Sequence, residues 1–362
     1  MKPGRIFLIS FSGKSQVGGV ERIVYHLDEY FLNKGIRTKL IDETYLVKHT
    51  LLGRLFNLLF RHHHFRKRKE VYMARYTSAY LWLHKRRNDI VITQGESAPF
   101  FPVDFNFIHG CYHLMEKAYW RKEEHLSRIS RLQQRNCMSA RQVIAVSSKV
   151  KQDIVRWYEV PEEKINILYN CVDTDKFRPI EKKYSRQRTV LFVGRLISYK
   201  GLAVLEQLAA TIEQSSSWRL LIACNETPET ARFSGFSKTM IKTGLNIDNI
   251  ASGAYAAGDL LILPSMFEGF ELVTLEALST GIPVIGTKVG AISELYDQGF
   301  PGVHLLPDNI SFTDDAILQH FERLLQTFQH TITPQALHEK IAARFGMERY
   351  TKELDEILIS NN

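Results

Sequence analysis

The sequence predicts an α/β protein made of two parallel-sheet domains in tandem. Three observations carry this. Apolar runs of strand length alternate with stretches of helical period along the chain. At 362 residues the chain exceeds what one hydrophobic core usually supports. The alternation is interrupted by the polar stretch "PIEKKYSRQR" at 179–188, which divides residues 1–180 from the remainder.

Taken in order, "RIFLISF" (5–11) reads as a buried strand, and a glycine-containing loop, "SGKSQVGG", follows it. Val20, Ile23, Val24, Leu27 and Phe31 then recur at helical spacing, and Gly35 closes that helix. "TKLID", "DIVITQG", "FNFIHG" and "QVIAVSS" supply further strands. The second series begins with "TVLFVGR" and a helix from about Leu202. It continues through "RLLIAC", "DLLILPS", a helix through "ELVTLEALST", and "IPVIGT".

Composition narrows the function classes. A hydrophobic content of 44% with 24% charged residues is that of a globular protein. No stretch approaches the roughly 18 apolar residues of a membrane span. "MKPGRIFLISFSGK" has no small-residue cleavage site and reads as the first strand rather than a signal peptide. Cys111, Cys137, Cys171 and Cys224 lack the paired spacing of a zinc site or disulfide framework, which fits a reducing cytosol.

Charge divides the chain unevenly. Residues 1–180 hold 31 Lys and Arg against 18 Asp and Glu, a balance of +13; the rest hold 16 against 21, a balance of −5. The excess is densest over 48–87, where "LLGRLFNLLFRHHHFRKRKEVY" joins Leu51, Leu55, Phe56, Leu58 and Leu59 to Arg66, Lys67, Arg68 and Lys69. Such a segment can lie on an anionic membrane surface, or pack as a core helix followed by a solvated charge run. Nucleic acid is disfavoured, because no aromatic-interleaved motif or zinc-finger spacing accompanies the charge.

In open parallel sheets ligands bind beyond the carboxyl ends of the strands, so functional residues are expected just after strands. Gly18 and Gly19 open the first helix, where backbone N–H groups attract anions and glycine admits close approach, although a Gly-Gly pair is commonly only a turn. The loop lacks G-x-G-x-x-G and the Walker pattern. Arg195 and Lys200 in "VGRLISYKG" follow a buried strand and could grip a diphosphate, or be surface charges. In "PSMFEGFELVTLEAL" (264–278), Glu268 sits in the loop and Glu276 in the helix that Gly281 and Pro283 end. Glu268 could accept sugar hydroxyls and Glu276 a ribose diol; taken alone, each is also an ordinary loop or helix acid.

The E-x7-E pair, "GGVER", "VGRL…KG" and "NCVDTDKFRP" (170–179) occur in the order and spacing of family 4 retaining glycosyltransferases, which this sequence resembles over nearly its whole length. The resemblance implies a GT-B fold: an acceptor-binding domain 1–180, a nucleotide-sugar domain 181–338 across a cleft, and a helix within 339–362 crossing back to the first domain. It implies that Arg195 and Lys200 neutralise the leaving diphosphate without a metal ion, and no cofactor is expected. Glu276 matches the ribose-binding glutamate, and Glu268 the one at the donor sugar. The amides of Gly269, Phe270, Leu272 and Val273 would hold sugar and phosphate oxygens, with Glu271 in the same binding loop. Gly19, beside Gly18, would address the donor phosphate, and His109 the reacting sugar, unless it is a buried structural histidine. Retention would come from attack on the face the nucleotide leaves, through an oxocarbenium-like state.

Three departures stand out. Glu271 replaces the usual Gly or Pro, Cys171 replaces the usual glycine, and the stretch between "RLLIAC" and "DLLILPS" is short. The partners implied are a nucleotide-sugar, UDP-linked by family habit, and a saccharide or lipid-linked acceptor of envelope polysaccharide synthesis at the cytoplasmic face of the membrane. A nucleotide-sugar epimerase and a catalytically silent membrane-surface scaffold are the alternatives.

Overall fold

The computed structural model describes residues 4–16, 18–50, 68–118, 124–180, 187–244, 246–308 and 311–359. Leu51 to Lys67 of the basic segment, and residues 181–186 of the expected linker, lie outside the described residues. The chain forms two compact units, Met1–Tyr169 with Ile357–Asn362, and Asn170–Glu356.

The first unit runs β1 (Ile6–Ile9), α1 (Gly19–Asn33), β2 (Thr38–Ile41), α2 (Glu43–His49), α3 (Lys69–His84), β3 (Ile90–Gln94) and β4 (Phe105–Ile108). It continues with α4 (Tyr112–Ala118), α5 (Glu124–Ser139), β5 (Gln142–Ala145), α6 (Ser148–Tyr158) and β6 (Ile165–Ile167). Its strands pair in parallel in the order β2-β1-β3-β4-β5-β6. Every residue of β1 is buried, as a strand covered on both faces requires. The apolar stripe of α1 buries Ile23, Val24, Leu27 and Phe31, each contributing about 1.5–3 kcal/mol. Local chemistry sets the helix starts: Asp42 accepts the Tyr45 N–H at 2.6 Å and Ser147 the Val150 N–H at 3.1 Å.

The second unit holds β7 (Arg188–Val193), α7 (Leu202–Gln214), β8 (Trp218–Ala223), β9 (Thr239–Lys242), α8 (Ile247–Asn249), β10 (Leu260–Leu263) and α9 (Leu272–Ser279). It ends with β11 (Val284–Gly286), α10 (Gly290–Asp297), β12 (Val303–Leu305), α11 (Ala316–Thr331), α12 (Pro334–Phe345) and most of α13 (Met347–Ile359), whose residues from Ile357 belong to the first unit. The strands pair in parallel as β12-β11-β10-β7-β8-β9. Residues 170–180 fall in this unit. Asn170 donates to the Phe270 carbonyl at 2.9 Å, Val172 forms a parallel bridge with Gly346, and Ser279 Oγ donates to the Phe177 carbonyl at 2.5 Å.

Both sheets reverse direction beside their first strand, between β1 and β3 in one unit and between β7 and β10 in the other. These reversals open crevices at the carboxyl ends of the strands. The loops after β7 and β10 are the two that carry Arg195, Lys200 and Glu268.

Candidate active site

In the second unit the two crevice loops are locked together through glycine. Gly201 has φ +86, and a Cβ there would lie 2.4 Å from the Pro264 carbonyl oxygen, so the loop after β7 can lie on the loop after β10 only without a side chain. The Met266 N–H donates to the Tyr199 carbonyl at 2.7 Å across the same junction. The consequence is an ion pair: Lys200 Nζ donates to Glu268 Oε1 at 2.5 Å, with the side chains only 18% and 9% exposed. Arg195 remains exposed and donates to the Tyr199 hydroxyl at 2.6 Å. Two cations thus flank one aromatic ring, at 6.0 Å for Arg195 and 5.8 Å for Lys200.

The loop that follows is held from several sides. Asn170 fixes the Phe270 carbonyl, and the Phe270 ring packs 5.8 Å from that of Phe345. Gly269 is buried with it, and α9 begins at Leu272, so the amides of Leu272 and Val273 lie in the helix's first turn, where no intrahelical acceptor serves them. Glu271 is buried and turns its carboxylate to α10, accepting the Ala291 N–H at 2.9 Å and the Ile292 N–H at 3.2 Å; Thr274 Oγ1 donates to it at 2.7 Å. Burial, and next the Glu268 carboxylate, push Glu271 up to about 7, against the pull of the Thr274 and Ala291 hydrogen bonds.

Glu276 is 1% exposed, and the Tyr255 hydroxyl donates to its Oε2 at 2.6 Å. Tyr255 ends a π-helical turn, Ile250–Tyr255, with Phe177 edge-on at 5.6 Å. It belongs to the stretch between Cys224 and Asp259 that sequence could not place, and which folds as a 3-10 turn (Pro228–Phe233), the edge strand β9, α8 and this π-turn. Sequence reasoning missed Tyr255 because a lone aromatic in "SGAYAAGD" carries no periodic or motif signal.

In the first unit Gly18, at φ +102, is the N-cap of α1, and a Cβ there would meet the Glu21 carboxylate at 2.5 Å. Gly19 has nothing within 4 Å of a Cβ position, so its backbone lies open. His109 follows β4 and faces Gln94, Nε2 to Oε1 at 2.6 Å. Burial holds the imidazole down at about 4, so it is neutral near pH 7 with Nε2–H donating. Beneath it a polar network fixes the ends of β3 and β4: Asn136 donates to the Gly95 carbonyl at 2.7 Å and to Thr93, and Thr93 to Asn106. Glu96, absent from the sequence reading, lies just past β3, its carboxyl pushed up to about 7 by burial and, further, by Glu70.

The structure thus gathers Arg195, Lys200, Glu268, Gly269, Phe270, Glu271, Leu272, Val273 and Glu276 on the loops and first helical turns around β7 and β10. Gly18, Gly19 and His109 lie at the strand ends of the first unit. Among the described residues no group of three His, Cys, Asp or Glu is placed to hold a metal ion. All four cysteines are buried and lie outside any disulfide, and Cys171 is fully enclosed.

Comparison with known proteins gives matches of the same kind along the chain. The family described as Glycosyltransferase Family 4 matches residues 17–176, and Glycosyl transferases group 1 matches 187–327. The chain is similar to the lipopolysaccharide core biosynthesis mannosyltransferase LpsB of Rhizobium meliloti, 29% identical over 48% of this chain and 53% of that protein. The chain spans about half the length of the curated relatives it matches. Among solved structures, a sucrose-phosphate synthase from Thermosynechococcus elongatus superposes with a TM-score of 0.73 at 18% identity, over 98% of both chains. Anabaena HepE, in complex with UDP and glucose, gives 0.65 at 15%, over 98% of this chain and 99% of that one. At such identities these two likenesses concern the fold, two Rossmann-like units with parallel sheets.

Proposed function

This chain belongs to the family 4 glycosyltransferases with the GT-B fold, and from that premise we propose that it moves a sugar from a nucleoside diphosphate to a saccharide or glycolipid acceptor, with retention at the anomeric carbon. The observation that carries the reading is the meeting of Arg195, Lys200 and Glu268 at the β7/β10 reversal, with Glu276 buried one helical turn beyond. Negative charge grows on a departing diphosphate, and preorganised cations there stabilise the transition state more than the ground state. Arg195, exposed and reaching from Tyr199, supplies a bidentate fork, and Lys200 a point charge held close by Glu268. Glu268, paired to Lys200, stands where positive charge develops on the sugar ring. Glu276 receives the ribose diol, its carboxylate oriented by Tyr255. The amides opening α9 bind phosphate and sugar oxygens. His109, neutral, presents a hydrogen-bonding imidazole rather than a charge to the sugar. These groups need no metal ion or cofactor for the roles given them.

UDP is the carrier we favour, supported by the UDP-bound HepE of the same fold. A lipid-linked or anionic acceptor of envelope polysaccharide synthesis at a membrane surface is supported by the LpsB relative and by a basic face on the first unit. There Trp82 and Leu83 stand 64% and 81% exposed beside exposed Arg86 and Arg87. No helix among the described residues is long and apolar enough to cross a membrane.

The test is calorimetric titration of UDP, GDP and their common sugars into wild type and Glu276→Ala. Micromolar binding of one nucleotide, lost in the variant, is expected. Absence of binding by all of them would overturn the enzymatic reading in favour of a silent scaffold.

A further inference from the structure

The residue that departs from the family pattern is also the most strongly tethered in the donor loop. Helix α10 begins at Gly290 without a side-chain cap of its own; its N-cap, Val289, has none to offer. The Glu271 carboxylate, from a different element, takes that place by accepting the Ala291 and Ile292 N–H groups. Gly290 makes the seat. It adopts φ +53, and a Cβ there would lie 2.0 Å from Glu271 Oε2 and 2.5 Å from Glu268 Cβ. The loop is therefore held at both ends by carboxylates, Glu268 on Lys200 and Glu271 on α10, and in the middle by Asn170 on the Phe270 carbonyl.

We propose that Glu271 is a positioning residue that straps the donor loop to α10, fixing the amides of 269–273 for the nucleotide-sugar. This rests on the nucleotide-sugar reading. One consequence separates it from simple helix capping. The strap must order the loop as well as the helix. Both carboxylate oxygens do the holding, Oε2 on the Ala291 N–H and Oε1 on the Ile292 N–H, so glutamine, with one acceptor oxygen, should substitute only in part.

Hydrogen exchange and calorimetry on wild type, Glu271→Ala and Glu271→Gln test it, with UDP and GDP as probes. In Glu271→Ala the Ala291 and Ile292 amides and those of 269–273 should exchange on the order of tenfold faster, and nucleotide affinity should fall about tenfold. Glu271→Gln, which keeps one acceptor oxygen, should fall between wild type and Glu271→Ala on both, and remains informative should the alanine variant fail to fold. Faster exchange confined to α10 with unchanged loop amides, or unchanged affinity in Glu271→Ala when wild type binds, would each overturn the proposal. Should wild type bind neither nucleotide while the loop amides still loosen, the strap stands and the nucleotide-sugar reading falls.

Discussion

The two units present their strand ends in opposite conditions. In the second, the crevice loops are committed before any substrate arrives: Gly201 seats one loop on the other, Lys200 is paired with Glu268, and Glu276 is buried under Tyr255. In the first, Gly19 lies open, while the ordered polar groups run beneath the strand ends, from Asn136 through Thr93 to Asn106. Charges must be fixed in advance where a diphosphate leaves, because reorganising them during reaction would forfeit their effect. An acceptor surface gains nothing from filling its own crevice. On the proposed function, the second unit would store the catalytic preorganisation and the first would be left to admit the acceptor.

The largest effect should come from breaking the committed side. Lys200→Ala removes the cation that the proposed function places at the leaving group and leaves the Glu268 carboxylate, 9% exposed, without its ion-pair partner. Turnover should fall roughly 10²–10³-fold, about 3–4 kcal/mol, by steady-state kinetics. A loss under tenfold would mean that Arg195 alone carries the diphosphate.

Next comes Tyr255→Phe. It deletes the hydroxyl that donates to buried Glu276 and should cost about 1–3 kcal/mol in denaturant unfolding, with weaker nucleotide binding. Unchanged stability and affinity would show that Glu276 does not need Tyr255 to hold its carboxylate.

The preorganisation was only partly legible in sequence. Strands such as "TVLFV" and "LLIL" announce themselves because both faces are buried and the residues are continuously apolar. Arg195, Lys200, Glu268 and Glu276 could be singled out because they follow such strands within a spaced motif. Tyr255 could not, since its partner is 21 residues away through a π-turn that no period marks. The seat made by Gly290 was likewise silent: its meaning depends on a carboxylate 19 positions earlier, and only the fold brings the two together. Glu271 was visible as an anomaly, and its direction toward α10 was not.

A smaller effect concerns the first unit's neutral histidine. His109 is held at about 4, below the ordinary 6.5, so the unfolded chain takes up a proton on acidification before the native state does. The contribution is present above about pH 6.5 and is lost as pH falls from there toward 4. Denaturant midpoints at pH 7 and pH 5 should therefore drop more for wild type than for His109→Gln. Glu96 and Glu271, whose carboxyls are raised to about 7, act with the opposite sign in both proteins and cancel in the comparison. Equal drops would remove His109 from the buried polar layer.

The smallest effect concerns an exposed apolar and basic face of the first unit. The described part of the basic segment lies at the amino ends of the strands, the edge opposite Gly19, and has the chemistry to meet a lipid surface there. Trp82 and Leu83 project from the end of α3 and Arg86 and Arg87 follow, all exposed. Trp82 is braced there by its indole N–H on the Phe100 carbonyl and by the Phe101 ring at 5.0 Å, so its exposed face is presented rather than free to fold away. Aromatic and aliphatic groups at headgroup level with arginine beside them bind anionic membranes through burial and charge together. Wild type should therefore sediment with phosphatidylglycerol vesicles at low salt and dissociate as salt rises. Replacing Trp82 and Leu83 with serine should weaken partitioning by about tenfold, and phosphatidylcholine alone should bind neither. Wild type that ignores anionic vesicles at low salt would remove this face as a membrane contact.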